Sequence, residues 1–173
     1  MECAGRASGG GPREEGRDFE TVFRSEYPRL VRALFLLTGD PWEAEEIAQE
    51  ALVRTYERWG RVGRMSSPVG YVYRVALNLN RRRLRRLARE ARRWITRPEP
   101  GADPAAVAEA SGDVRRALRA LAPVQREALV LGDWLGLGPA EMSAILGIEP
   151  GTARVRLHRA REAFRRRLGQ GYE

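Results

Sequence analysis

A chain of 173 residues holds one domain or two small ones, and 43% hydrophobic content suffices for compact helical units. The net charge is +8 and all 31 basic residues are arginine, which points to a polyanionic partner and suits bidentate phosphate or guanine contact, although genomic base composition accounts for most of the lysine absence. One cysteine (Cys3) and one histidine (His158) exclude an internal disulfide, a cysteine zinc site and a multi-histidine metal centre, and with no membrane-length apolar run or signal-peptide core the chain reads as cytoplasmic, with no membrane insertion.

Residues 1–17 are rich in Gly, Arg, Glu and Ser and read as a disordered tail. From Asp18, Phe19, Val22, Phe23, Leu30, Val31, Leu34, Phe35 and Leu37 supply apolar helical faces, and Pro28 is expected to kink or divide the segment. Thr38-Gly39-Asp40-Pro41 reads as a stop and a start, with Asp40 as cap and Pro41 in the first turn. The helix from Pro41 to about Trp59 has a core face of Ala44, Ile47, Ala48, Ala51, Leu52, Thr55 and Trp59. Its other face carries Glu43, Glu46, Gln49, Glu50 and Val53. The macrodipole accounts for Glu43 near the helix start, but not for Glu46 and Glu50 beyond the first turn. A protein-binding surface for a basic partner helix does.

Gly60 to Ser67 reads as a loop carrying Arg61 and Arg64. A third helix follows from Pro68 through Val72, Val75, Ala76, Leu79, Leu84 and Leu87. On it, Tyr71, Tyr73, Arg74, Asn78 and Asn80 mix aromatic and amide groups with charge, and Arg81 to Arg93 holds eight arginines against one acid, Glu90. Aromatics beside a basic run suit unstacked bases and backbone phosphates, while at least one tyrosine belongs to the core. Residues 97–112, with Pro98, Pro100, Gly101, Pro104 and Gly112, read as a flexible linker containing a short helical piece around Ala105–Ala110. Periodicity resumes at Asp113, a plausible cap, with Val114, Leu118, Leu121, Leu129, Val130 and Leu131.

The last third forms a helix-turn-helix pattern. Met142, Ile145 and Leu146 give a short helix its apolar face, Gly147 ends it, and Pro150 suits the first turn of the next. That second helix repeats Ala153, Leu157, Ala160, Phe164 and Leu168, with Arg154, Arg156, His158, Arg159, Arg161 and Arg165 outside. The pattern matches a recognition helix in a DNA groove; structural αα-hairpins share its outline. No metal constellation, phosphate-cradling loop or nucleophile elbow occurs, so the chain reads as a non-enzyme without a cofactor.

The assembled chain resembles a bacterial RNA polymerase sigma factor of the extracytoplasmic-function type, over about Asp18 to Leu168. The resemblance rests on Tyr27-Pro28-Arg29-Leu30-Val31-Arg32, Leu37-Thr38-Gly39-Asp40-Pro41, Ala44-Glu45-Glu46-Ile47-Ala48-Gln49-Glu50-Ala51, Tyr71-Val72-Tyr73-Arg74-Val75-Ala76-Leu77-Asn78, Gln125-Arg126-Glu127-Ala128-Leu129 and Leu146-Gly147-Ile148-Glu149-Pro150-Gly151-Thr152. It implies an all-α chain of two small helical domains: a region 2 bundle over 18–96 and a region 4 helix-turn-helix over 113–168, joined by the linker 97–112, with tails at 1–17 and 169–173.

The resemblance also implies roles. Glu46, Gln49, Glu50 and Val53 would dock on the clamp helices of the largest polymerase subunit, and region 4 would meet the flap of the second-largest. Around the −10 element, the Gly60–Ser67 loop with Arg61 and Arg64 would open the DNA. Asn78 would read an extruded base, with Tyr73 and Arg74 close by, and Arg81 to Arg86, Arg81 and Arg85 among them, would hold phosphates. At the −35 element, a step of about 100° per residue places Val155, His158 and Glu162 opposite the buried stripe, flanked by Arg154 and Arg159. Arg154 and Arg159 are the candidates for guanine, Thr152 and Arg156 for phosphate, and His158 faces DNA rather than acting as a base.

Arg82, Ala153, Val155 and Gly132-Asp133-Trp134 depart from the family pattern, which bears on the promoter read rather than on the role. The reading is thus a promoter-specificity subunit for core RNA polymerase, with an anti-sigma factor as candidate regulator. The alternatives are a stand-alone helix-turn-helix regulator of duplex DNA, a protein whose main act is sequestration by a partner, and an RNA binder. The first leaves the acidic face and the aromatic-basic helix unexplained.

Overall fold

The computed structural model describes residues 18–93 and 109–169, and every regular element among them is helical. The readings for the tail at 1–17, most of the linker, and 170–173 lie outside the described residues.

Helices α1 (Phe19–Thr38) and α2 (Pro41–Tyr56) pack as a pair, burying Leu30, Ala33, Leu34 and Leu37 with Ala44, Ile47, Ala48, Ala51 and Leu52. Pro28 lies inside α1 and does not divide it. An interior proline costs a helix about 3 kcal/mol. Burying leucines such as Leu30, Leu34 and Leu37 offsets that, at roughly 1.5–3 kcal/mol for each side chain. The connection follows the expected chemistry: Asp40 Oδ1 accepts the Glu43 N–H at 3.1 Å, and Pro41 opens α2.

Helix α2 ends at Tyr56 rather than near Trp59. What the sequence suggested as a loop after Trp59 begins with a four-residue helix, α3 (Trp59–Val62), anchored by the fully buried Val62. Helix α4 (Pro68–Arg93) inserts Val72, Tyr73, Ala76, Leu77 and Asn80 into the interior, whereas beyond Leu84 its side chains through Arg92 are exposed.

Helix α5 (Glu109–Arg119) starts before Asp113, so Asp113 is an interior residue, paired with Arg116, and not a cap. Helix α6 (Pro123–Leu129) runs into a π-helical turn, Val130–Trp134. Helices α7 (Pro139–Leu146) and α8 (Pro150–Gly169) flank a turn at Gly147, whose φ of 68° is a left-handed conformation that glycine adopts without strain. The Glu141 carboxylate accepts the Gly138 N–H at 2.8 Å, holding the α7 start.

The two halves share one interior. Leu118, Leu121, Ala128, Val130, Leu131 and Leu135 join the same hydrophobic cluster as Leu30, Leu34, Ala76 and Leu77. Helix α1 packs on α5, α6 and the π turn, and α4 packs on α7. Thus the units expected to hang on a linker pack directly against each other.

Candidate nucleic-acid interface

Helix α8 buries Ala153, Leu157, Ala160 and Ala163, with Phe164 and Leu168 half-buried beside them. Its opposite side is open: Thr152, Arg154, Val155, His158, Arg159 and Glu162 are exposed, while Arg156, at the edge of the buried stripe, is half-buried. His158 Nε2 lies 3.6 Å from Glu162 Oε1, one helical turn along the same face. Arg161 on the flank grips Asp133 of the π turn, donating from Nε at 3.1 Å to both carboxylate oxygens. That pair gives Asp133 a function at a position where the sequence departs from the family pattern. Gly132 beside it also has a reason. A methyl group there would sit 2.6 Å from Leu157 Cδ2, so only glycine lets the turn approach α8 this closely without displacing Leu157.

Helix α4 presents its candidates less uniformly. Arg74, Asn78 and Arg85 are exposed, as are Arg61 and Arg64 ahead of the helix. Tyr73 is not available: it is 5% exposed, and its hydroxyl donates to Glu26 of α1 at 3.2 Å. Burial, and then the Glu26 charge, push this phenol well above the ordinary tyrosine range and keep it neutral. Helical spacing explains the displacement from the expected set, since Tyr73 shares the inward stripe with Ala76, Leu77 and Asn80. Tyr71 is only half-buried. The Arg58 guanidinium donates to its hydroxyl at 3.2 Å and lowers its pKa.

Arg81, expected on phosphate, is occupied by the other half of the molecule. Its Nε donates to both oxygens of Glu127 in α6 at 2.9 and 3.1 Å, and Nη2 donates to Oε2 at 2.6 Å. Glu127 is 2% exposed, so this bidentate pair is the carboxylate's compensation for burial. Two further arginines clip the same junction. Arg126 donates to carbonyls at the end of α5 and to the Leu37 carbonyl at 2.8 Å, and Arg119 donates to the Gly39 carbonyl at 2.8 Å. Helix C-termini leave carbonyls without intrahelical partners, and these guanidinium groups supply them. Sequence reasoning missed Glu127 and Arg126. The available signal was an acid set directly before the apolar run Ala128 to Leu131.

On α2, Glu46, Gln49, Glu50 and Val53 are all exposed along one stripe, and Glu50 accepts from Arg54 Nε at 2.6 Å. A cleft of about 1170 Å³ separates this unit's Arg61, Met65, Tyr71 and Arg74 from Leu135, Leu137, Ala144 and Ile145 of the second half. Among the described residues no group of His, Cys, Asp and Glu could hold a metal ion, and no helix is long and apolar enough to cross a membrane.

Residues 22–90 match the family described as Sigma-70 region 2, and residues 111–164 match Sigma-70, region 4. The chain is 33% identical to the RNA polymerase sigma-E factor of Streptomyces avermitilis, over 87% of this chain and 85% of that protein. It is 31% identical to the ECF RNA polymerase sigma factor SigE of Mycolicibacterium smegmatis, over 85% of this chain and 60% of the relative. Its fold is that of the sigma factor RpoE crystallised with the anti-sigma factor NepR from Bartonella quintana. The TM-score is 0.74 at 22% identity, covering 88% of this chain and 98% of that one.

Proposed function

We infer the division of labour in this chain from one premise: it belongs to the extracytoplasmic-function sigma factors of RNA polymerase. It binds core RNA polymerase and directs promoter recognition and transcription initiation. The assignment of residues to these tasks is our proposal. Residues 18–96 act as region 2 and 113–168 as region 4. Glu46, Gln49, Glu50 and Val53 hold the clamp helices of the largest subunit, and region 4 meets the flap. Arg61, Arg64, Arg74, Asn78 and Arg85 serve the −10 element. Thr152, Arg154, Val155, Arg156, His158 and Arg159 serve the −35 element. The chain works in the cytoplasm and has no catalysis of its own; the polymerase does the chemistry. An anti-sigma factor is its candidate regulator.

The observation that carries this reading is the acidic α2 stripe, exposed on the same unit as the basic end of α4. A duplex-binding regulator acting alone has no use for that stripe. Arg81 offers its Nε and Nη2 donors to the −10 element only when the halves part, because Glu127 engages both in this arrangement. Promoter engagement therefore exchanges an internal carboxylate for a phosphate, and that part of the affinity falls with salt.

Run-off transcription with purified core polymerase and fragmented genomic DNA tests the reading, wild type beside Glu46→Arg/Glu50→Arg. Defined transcripts with the wild type, lost in the variant together with core binding, are expected. Tight duplex binding without polymerase and without any transcript would instead favour a free-standing regulator.

A further inference from the structure

Two aromatic side chains extend the acidic stripe beyond the residues assigned to it. Trp42, the second residue of α2, is 80% exposed, and Tyr56, the last, is 63% exposed. At about 100° per residue, Trp42, Glu46, Gln49, Val53 and Tyr56 lie within roughly 80° of arc, and the row is about 21 Å long at 1.5 Å per residue. Scattered exposed apolar residues are ordinary on a soluble surface. These are not scattered: they bracket one face of one helix, with Val53, 53% exposed, between them.

The Tyr56 ring is held in place from below. Phe19 of α1 packs on it with centroids 4.9 Å apart, and the same Phe19 meets Trp59 edge-on at 5.2 Å. A ring fixed before binding loses little freedom on association, and tryptophan and tyrosine are the side chains that most often dominate an interface. Between the two rings the stripe is acidic, with Glu46 on its line and Glu45 and Glu50 at its borders. The complementary surface is helical and basic, with apolar notches about 20 Å apart by the helical rise.

We propose that Trp42 and Tyr56 are apolar anchors of the core-polymerase contact, one at each end of the acidic face. The proposal rests on the core-binding assignment of Glu46 and Glu50 and adds the residues that supply most of its affinity. The acids then steer and orient the encounter, while the rings set the dissociation rate.

Equilibrium binding of fluorescently labelled full-length chain to purified core polymerase tests it, with Trp42→Ala, Trp42→Phe, Tyr56→Ala and Glu46→Arg/Glu50→Arg beside the wild type. Trp42→Ala and Tyr56→Ala are each expected to weaken binding about tenfold or more, chiefly through faster dissociation, and Trp42→Phe to keep most of it. Raised salt should slow association of the wild type and of Trp42→Ala alike. Thermal melting accompanies the series. If Tyr56→Ala proves unstable for want of its Phe19 contact, Trp42→Ala decides alone, since an 80% exposed side chain supports little of the fold. Trp42→Ala binding within twofold of wild type, with the charge reversal still disruptive, would overturn the anchors and leave the acidic face standing. No effect from any variant would overturn the face itself. Self-association that depends on Trp42, with core binding unchanged, would make the stripe a contact between copies and overturn the proposal.

Discussion

Arg159 on α8 and Arg81 on α4 are assigned to the same kind of partner, yet Arg159 stands exposed while Arg81 has its donors on a buried carboxylate. The face proposed for the −35 element is complete in this arrangement: its core stripe is internal to the second half, and its outer side is exposed. The face proposed for the −10 element is partly internal. Tyr73 is committed to Glu26, Arg81 to Glu127, and α4 lies against α7. An arginine pattern alone therefore reports chemistry and not availability. Which arginines are free is decided by what packs against them.

The largest expected effect separates these two arginines by stability. Arg81→Ala leaves Glu127 buried and unpaired and should cost about 3 kcal/mol, because breaking a buried pair strands the remaining charge. Arg159→Ala should change stability by no more than about 0.5 kcal/mol. Urea denaturation of both variants checks this, and equal stabilities would dissolve the contrast between the two faces.

The second test reverses the ranking. Arg154→Ala and Arg159→Ala should each cost roughly 1–3 kcal/mol in binding to a −35 duplex and relax specificity at one position. Binding measured across a library of single-base variants reads both quantities. A uniform loss across all sequences would move these arginines from bases to phosphates.

A smaller effect comes from Tyr73. Its phenol is pushed above its ordinary value of 10.0 by burial, so the folded state holds this proton more tightly than the unfolded chain does. The stability this contributes is complete below pH 10 and declines as the pH rises through the raised value. Tyr73→Phe should cost about 1 kcal/mol at neutral pH through loss of the Glu26 hydrogen bond. The gap to wild type should close above about pH 10, where the unfolded tyrosine ionises. Denaturation curves at pH 8 and 10.5 compare the two, and a gap that widens with pH would contradict the burial of this group.

Much of the fold was legible in the chain because its signals are local. The periodicity of Ala153, Leu157 and Ala160, the Asp40-Pro41 start and the Gly147 turn each depend on residues a few positions apart, and each holds. Local signals were also incomplete: Pro28 does not divide α1, whose Leu30, Leu34 and Leu37 are buried, and Asp113, read as a cap, lies inside a helix begun at Glu109. The acidic face was legible as amphipathicity, but its aromatic ends, Trp42 and Tyr56, were not, because exposure at a helix end depends on what else covers it.

The sequence by itself determined the helices and the helix-turn-helix, for which spacing and turn chemistry suffice, and its motifs carried the resemblance to the family. Only the tertiary structure decided that the two halves share one core and that Tyr73 is inward. It alone paired Arg81 with Glu127 across 46 residues of chain. An ion pair between distant segments leaves no periodic trace, and a buried carboxylate becomes tolerable only once folding has brought its guanidinium to it.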